Sequence, residues 1–203
     1  MKNLLFVTVL LLGIFTAHAQ DNDRIFNPWK VDLSLGAAIP QGQGSKGGGL
    51  FVLEPKYAVV DQLWVGLRIE AAVMARSFAY SDGSSSSTSV SASASYLVTG
   101  DFYFTTTNFR PFIGGGAGLF RLASATVDGY SGSSSDIAST AKFGAMLRAG
   151  FEIGHFRMGA EYNLIGNSVN QAYDYATGNN QNVTFKNSYL GIKAGFVFGG
   201  RRL

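Results

Sequence analysis

The sequence predicts an all-β fold, an eight-stranded antiparallel up-and-down transmembrane β-barrel. Three observations predict it. Apolar and polar residues alternate with period two over long stretches, as in "RAGFEIGHFRMGAEYN" at 148–163, the period of strands whose two faces meet different surroundings. The chain opens on an export leader. The connections between strands alternate short and long, so an up-and-down sheet collects the tight turns at one end and the long loops at the other. The 203 residues suit one domain, and 14% charged residues with 26 Gly is little charge and much Gly for a water-soluble one.

Taken in order, "MKNLLFVTVLLLGIFTAHAQ" carries Lys2, an apolar run from Leu4 to Phe15 and the small-x-small site Ala17-His18-Ala19. This is the pattern of a signal peptide, residues 1–19, removed on export. No later segment offers about 18 uninterrupted apolar residues, so no membrane-spanning helix is expected. Residues 20–29 form a short lead-in, 30–198 the barrel and 199–203 a C-terminal tail. The eight strands fall at 30–39, 49–59, 63–76, 91–104, 109–122, 141–153, 156–165 and 187–198. Pro55 interrupts the second and must cost a ladder bond or sit at a bulge. In the third, Leu63, Val65, Leu67, Ile69, Ala71 and Val73 alternate with Trp64, Gly66, Arg68, Glu70 and Ala72. In the fifth, Phe112, Gly114, Gly116, Gly118 and Phe120 share a parity, which leaves its facing open. The sixth and seventh make a hairpin about Gly154-His155. In the eighth, Leu190, Ile192, Ala194, Phe196 and Phe198 stand against Tyr189, Gly191, Lys193 and Gly195. The short connections are 60–62, 105–108 and 154–155; the long ones, 40–48, 77–90, 123–140 and 166–185, are rich in Ser, Gly and Asn and are expected to be mobile.

Magnitude decides which face is inside. An Arg or Lys turned to lipid at the bilayer midplane costs about 2–4 kcal/mol. Arg148, Glu152, Arg157 and Glu161 together on that face would be prohibitive, so they face a lumen. The hairpin register sets Glu152 opposite Arg157 and Arg148 opposite Glu161, and the turn at 60–62 sets Glu54 opposite Arg68. These three pairs are the expected lumen ion pairs, with Glu70, Asp101 and Lys193 as further lumen polar residues. The aromatic residues fall toward the strand ends, as interface girdles do. Tyr57, Phe102, Phe104, Phe109, Phe151, Phe156, Phe196 and Phe198 lie at the short-turn end; Phe51, Phe78, Phe120, Phe143 and Tyr162 lie at the other.

On the leader, "RPFIGGGAGLF" (110–120), "RAGFEIGHFRMGAEYN" and the aromatic-ended "YLGIKAGFVF", the chain resembles the small outer-membrane β-barrel family, the OmpA transmembrane domain and OmpX-like proteins. The resemblance implies short periplasmic turns, long extracellular loops and a place in the outer membrane of a Gram-negative bacterium. It implies outer-membrane lipid and the barrel-assembly machinery as partners, the latter reading Phe196 and Phe198, although "GGRRL" follows them. It also implies a monomer, and no peptidoglycan-binding domain is expected after the barrel.

The chemistry sought in the sequence is mostly missing. There is no Cys, hence no disulfide framework and no thiolate metal site or nucleophile. A formal charge of +3, scattered along the chain, makes no case for nucleic acid. Family resemblance suggests testing for lipid A deacylation or acyl transfer by His, Ser and an acid near the outer leaflet. His155, the His outside the leader, falls in a short turn at the wrong end. Asp128, Asp136 and Asp174 lack calcium-loop spacing, and "GSKGGG" lacks a phosphate-loop spacing. No catalytic residue, cofactor or metal is expected. Three functions stay open: a non-enzymatic barrel whose loops hold an extracellular ligand or adhere, a narrow channel or hydrophobic-ligand conduit, and a soluble secreted lipocalin-like barrel.

Overall fold

Period-two alternation gives each strand one polar and one apolar face, and a sheet built from such strands can hide one face by curling until its edges meet. The computed structural model describes residues 25–41, 45–78, 87–126, 138–174 and 179–200. The leader, residues 1–19, and the tail from 201 onward lie outside them. The strands are β1 (Trp29–Pro40), β2 (Ser45–Val60), β3 (Leu63–Phe78), β4 (Ser87–Tyr103), β5 (Phe109–Thr126), β6 (Ala138–Ile153), β7 (Phe156–Ile165), β8 (Ser168–Asp174), β9 (Asn179–Phe185) and β10 (Tyr189–Gly199). Eight of them close in the order β1-β10-β7-β6-β5-β4-β3-β2, every pair antiparallel. This is the predicted barrel. The seam between β1 and β10 runs from Lys30↔Gly199 to Pro40↔Tyr189, so the first and last barrel strands meet at the short-turn end.

The strands overrun several of the expected loops. β2 starts at Ser45, inside the expected 40–48 loop, and β3 and β4 reach into 77–90. β5 runs to Thr126 and β6 starts at Ala138, inside 123–140. The reason is legible in β4: Ser87, Ser89, Ser91, Ser93 and Ser95 alternate with Thr88, Val90, Ala92 and Ala94. The composition resembles a loop, but the period is that of a strand. The stretch 166–185 holds a further hairpin, β8 with β9, paired from Ser168↔Phe185 to Asp174↔Asn179 as its own two-stranded sheet. Val169, Tyr173, Val183, Thr184 and Phe185 supply the strand-forming residues among its Asn and Gln.

The turns at the opposite end are tight. β6 and β7 are joined by Gly154-His155, with Gly154 at φ 59°, a left-handed conformation that Gly adopts freely. Pro55 stands opposite Val31 in the β1–β2 ladder. The β2–β3 register passes from Leu53↔Ile69 to Lys56↔Gly66 without slipping, so Pro55 interrupts that ladder without a bulge; the irregularities fall at Lys46/Gly49 and Ala58/Val60. The outer wall is apolar, with Leu35, Leu67, Val98, Phe143 and Leu147 all strongly exposed. A soluble barrel would turn such residues inward.

Candidate functional site

The lumen is built by the parity opposite to that apolar wall. Lys30, Asp32 and Ser34 of β1, Glu54 and Lys56 of β2, and Arg68 and Glu70 of β3 are buried. So are Thr99 and Asp101 of β4, Arg110 of β5, Arg148 and Glu152 of β6, Arg157 and Glu161 of β7, and Lys193 of β10. Their side chains converge on the axis and bond across it. At mid-height Arg148 forks onto Glu54, Nη1 to Oε2 at 2.8 Å and Nη2 to Oε1 at 2.7 Å, while its Nε donates to Asp101 Oδ1 at 2.6 Å. Asp101 also takes Lys56 at 2.8 Å and Arg157 Nη2 at 2.9 Å, and Arg157 Nε reaches Asp32 at 3.0 Å. Toward the loop end, Arg68 joins Glu70 and Glu161, Lys193 lies 3.2 Å from Glu161, and the Tyr189 hydroxyl donates to Glu70. Toward the turn end, Glu152 holds Lys30 at 2.8 Å and accepts the Tyr103 hydroxyl at 2.7 Å.

Every expected lumen residue lies on the inner face, but the pairing differs. Arg148 does stand opposite Glu161 in the ladder, yet it bonds Glu54 and Asp101 while Glu161 bonds Arg68 and Lys193. Glu54, level with Arg68 in the β2–β3 register, takes Arg148 and Lys56 instead. Glu152 and Arg157 do meet, at 3.5 Å, but Lys30 is nearer to Glu152. Ladder neighbours define ion pairs on an open sheet. In a narrow closed barrel, long side chains point at the axis, where the far wall is as near as the next strand.

Charge fills the middle and apolar groups close both ends. Ala38, Leu50, Val52, Ala72, Met74, Leu97, Phe120, Met146 and Ile165 pack together toward the long-loop end, with Tyr189 bordering them. Phe26, Ala58, Trp64, Tyr103 and Phe112 pack at the short-turn end. Phe112 and Phe120 therefore both point inward, which settles the facing of β5 and removes Phe120 from the expected girdle. Gly150 and Gly159, paired across β6–β7, leave room for the Phe112 ring: a Cβ on Gly150 would stand 2.9 Å from its Cζ. The exposed aromatics cluster outside the turn end in edge-on and tilted pairs, Trp29–Tyr57, Phe102–Phe104, Phe109–Phe151 and Phe156–Phe196, with ring centroids 4.9–6.4 Å apart. Phe198 is exposed beside them; Phe143 is exposed, and Tyr162 partly so, on the other half of the wall. The Phe78 side chain lies outside the described residues.

The expectations omitted Lys30, Asp32, Lys56 and Arg110, although the alternation of Lys30, Asp32 and Ser34 with Val31, Leu33 and Leu35 is the same signal. They also omitted Phe26, whose place carries no periodic mark. His155 sits in the β6–β7 turn with Nδ1 2.8 Å from the Val197 carbonyl oxygen. Among the described residues, no three His, Asp or Glu side chains are grouped to hold a metal.

The sequence profile of the outer membrane protein beta-barrel domain matches residues 7–198. The chain belongs to that family. Comparison with curated proteins gives no match. Among solved structures, this outer-membrane barrel resembles OprG from Pseudomonas aeruginosa, at 13% identity and a TM-score of 0.56 over 87% of this chain and 99% of that one. It also resembles Neisserial surface protein A, at 17% identity and a TM-score of 0.53 over 86% and 98% of the two chains. At such identities the likeness is one of fold.

Proposed function

We propose that the protein is a non-enzymatic wall component of a Gram-negative outer membrane, exported with loss of residues 1–19, that meets an extracellular partner through its long-loop end. The observation that carries this reading is the closed lumen. Trp64, Arg68, Tyr103, Phe112, Phe120, Met146 and Arg157 are fully buried inside the barrel, as expected of eight strands, which leave just enough width for side chains. With the interior filled, contact falls to the loop end, where β8 and β9 pair only with each other. The turns then face the periplasm, Phe196 and Phe198 present the terminal aromatic signal to the assembly machinery, and the barrel works as a monomer in lipid.

Two measurements test this. An epitope inserted between β8 and β9 should be reached by antibody on intact cells. The purified barrel in planar bilayers should show no steady conductance above the lipid background. A protected epitope refutes the orientation; stable, salt-dependent conductance makes the protein a channel instead.

A further inference from the structure

The end of the lead-in turns back over the short-turn mouth, and its Phe26 is buried there. The ring packs with Ala58 of β2, Trp64 of β3, Tyr103 of β4 and Phe112 of β5. Its centroid lies 4.1 Å from the Arg110 guanidinium, and that of Tyr103 lies 4.2 Å from the same group. In the closed order of strands β5 stands opposite β1. A residue just ahead of β1 therefore meets the far wall, and the lead-in crosses the mouth to reach it.

The segment is held by the Ile25 amide, which donates to the Asp61 carboxylate at 3.2 Å, and by the Pro28 carbonyl, which accepts from the Ala58 amide at 2.8 Å. Neither bond belongs to the β1–β2 ladder, which starts at Trp29↔Tyr57. Beside the ring a cavity of about 230 Å³ opens at the mouth, lined by Phe26, Asn108, Arg110, His155 and Gly200 among others. The ring can lift without displacing a strand. Lifting loses apolar contact but returns water to a buried cation, so this opening costs less than breaking a ladder. Further in lies Lys30, bonded to the Tyr103 hydroxyl at 2.9 Å and to Glu152 at 2.8 Å.

We propose that residues 25–28 are a latch on the lumen. They seat across the mouth after the ring of strands has closed, and they lift as a unit to admit water to Lys30, Tyr103 and Glu152 while every ladder stays paired. The order follows from the seat, which is assembled from β2, β3, β4 and β5 and does not exist until the sheet has curled. The independence follows from the attachment, since segments with few backbone bonds to the rest of a fold open at low cost.

Trp64 reports on the seat, because it packs with Phe26 and its Nε1–H donates to the Asp61 carbonyl at 3.1 Å. The test uses the full chain refolded in detergent micelles, nitrogen-15 labelled and followed by NMR. Hydrogen exchange is read at the Trp64 indole and at Leu35 and Ala160, whose amides lie inside the barrel ladders. Phe26→Ala should speed indole exchange at least about tenfold, less than the full worth of a buried ring. Phe26→Leu, which keeps an apolar body, should fall between that and the unaltered protein. Leu35 and Ala160 should exchange as before in both variants. Both should also reach the closed form, read by its heat-sensitive migration on gels, as fast as the unaltered chain, because a contact made after the folding barrier does not slow folding. Unchanged indole exchange in Phe26→Ala overturns the latch, and so does equal acceleration of the ladder amides. Slower closure, or failure of Phe26→Ala to close, overturns the order of seating. None of these outcomes depends on which way the barrel faces in cells.

Discussion

Replacing Arg148 tests whether the lumen is held by ladder neighbours or by partners across the axis. Arg148→Met keeps the stem of the side chain and removes a fork bonded to Glu54 at 2.7 and 2.8 Å and to Asp101 at 2.6 Å. Breaking a buried pair by removing one member typically costs about 3–5 kcal/mol, because a charge is left without compensation. Here Lys56 stays 3.3 Å from Glu54 and 2.8 Å from Asp101, which places the expected loss near the lower end, about 3 kcal/mol. The informative quantity is the coupling. Double-mutant cycles of contacting residues give about 0.5–3 kcal/mol, and distant sites without shared partners add to within about 0.5 kcal/mol. Arg148→Met with Glu54→Gln should therefore be less damaging than the two single losses added. Arg148→Met with Glu161→Gln should show the weaker coupling of the two, although those residues face each other in the β6–β7 ladder. Reversible urea unfolding in lipid vesicles, followed by Trp fluorescence, measures all six proteins of the two cycles. Stronger coupling of Arg148 to Glu161 than to Glu54 would refute the cross-lumen assignment.

Other changes follow from the same packing. Phe120→Ala removes a ring that is fully buried in the loop-side cluster and should cost about 3–5 kcal/mol, whereas Phe143→Ala, at a side chain 72% exposed, should cost under about 1 kcal/mol; the same unfolding assay separates them. Gly150→Ala brings a Cβ to 2.9 Å from Phe112 Cζ and 2.7 Å from Gly159 Cα, and an overpacking loss of about 1–3 kcal/mol is expected. Leu35→Arg puts a cation on the apolar wall halfway along β1 and should cost about 2–4 kcal/mol in vesicles. Replacing residues 168–185 by a short Gly-Asn turn should leave heat-resistant migration on gels unchanged, because that hairpin belongs to a separate sheet, while abolishing any surface binding.

The fold was readable because one rule, inside against outside with period two, governs every barrel strand, and because the register of β6–β7 follows from a two-residue turn. Where composition and period disagreed, as in the Ser-rich start of β4 and in the Asn-rich β8–β9 hairpin, composition pointed the wrong way. Membership of the lumen was legible at Arg148, Glu152, Arg157 and Glu161 for the same reason. Partnership was not. Which carboxylate a guanidinium finds across the axis depends on how the closed sheet staggers its strands, and a single strand's sequence carries no mark of that. Phe26 was invisible because it sits in no periodic element and is fixed by contacts with Arg110, Trp64 and Tyr103, distant in sequence.

The seam has a consequence for how the chain could be cut. Lys30 pairs with Gly199, and the Gly200 amide donates to the Trp29 carbonyl at 2.8 Å, so the first and last strands already end side by side. A few residues would suffice to join Gly200 to the segment before Trp29, and new ends could then be opened between β8 and β9 without breaking a barrel ladder. Such a rotated chain has the same wall and the same lumen, but β10 becomes an interior strand and the aromatic-ended sequence no longer lies at a terminus. It separates what the finished cylinder needs from what its insertion needs: the rotated protein should close in detergent, and its fate in the cell would report whether the signal is the strand itself or its place at the end of the chain.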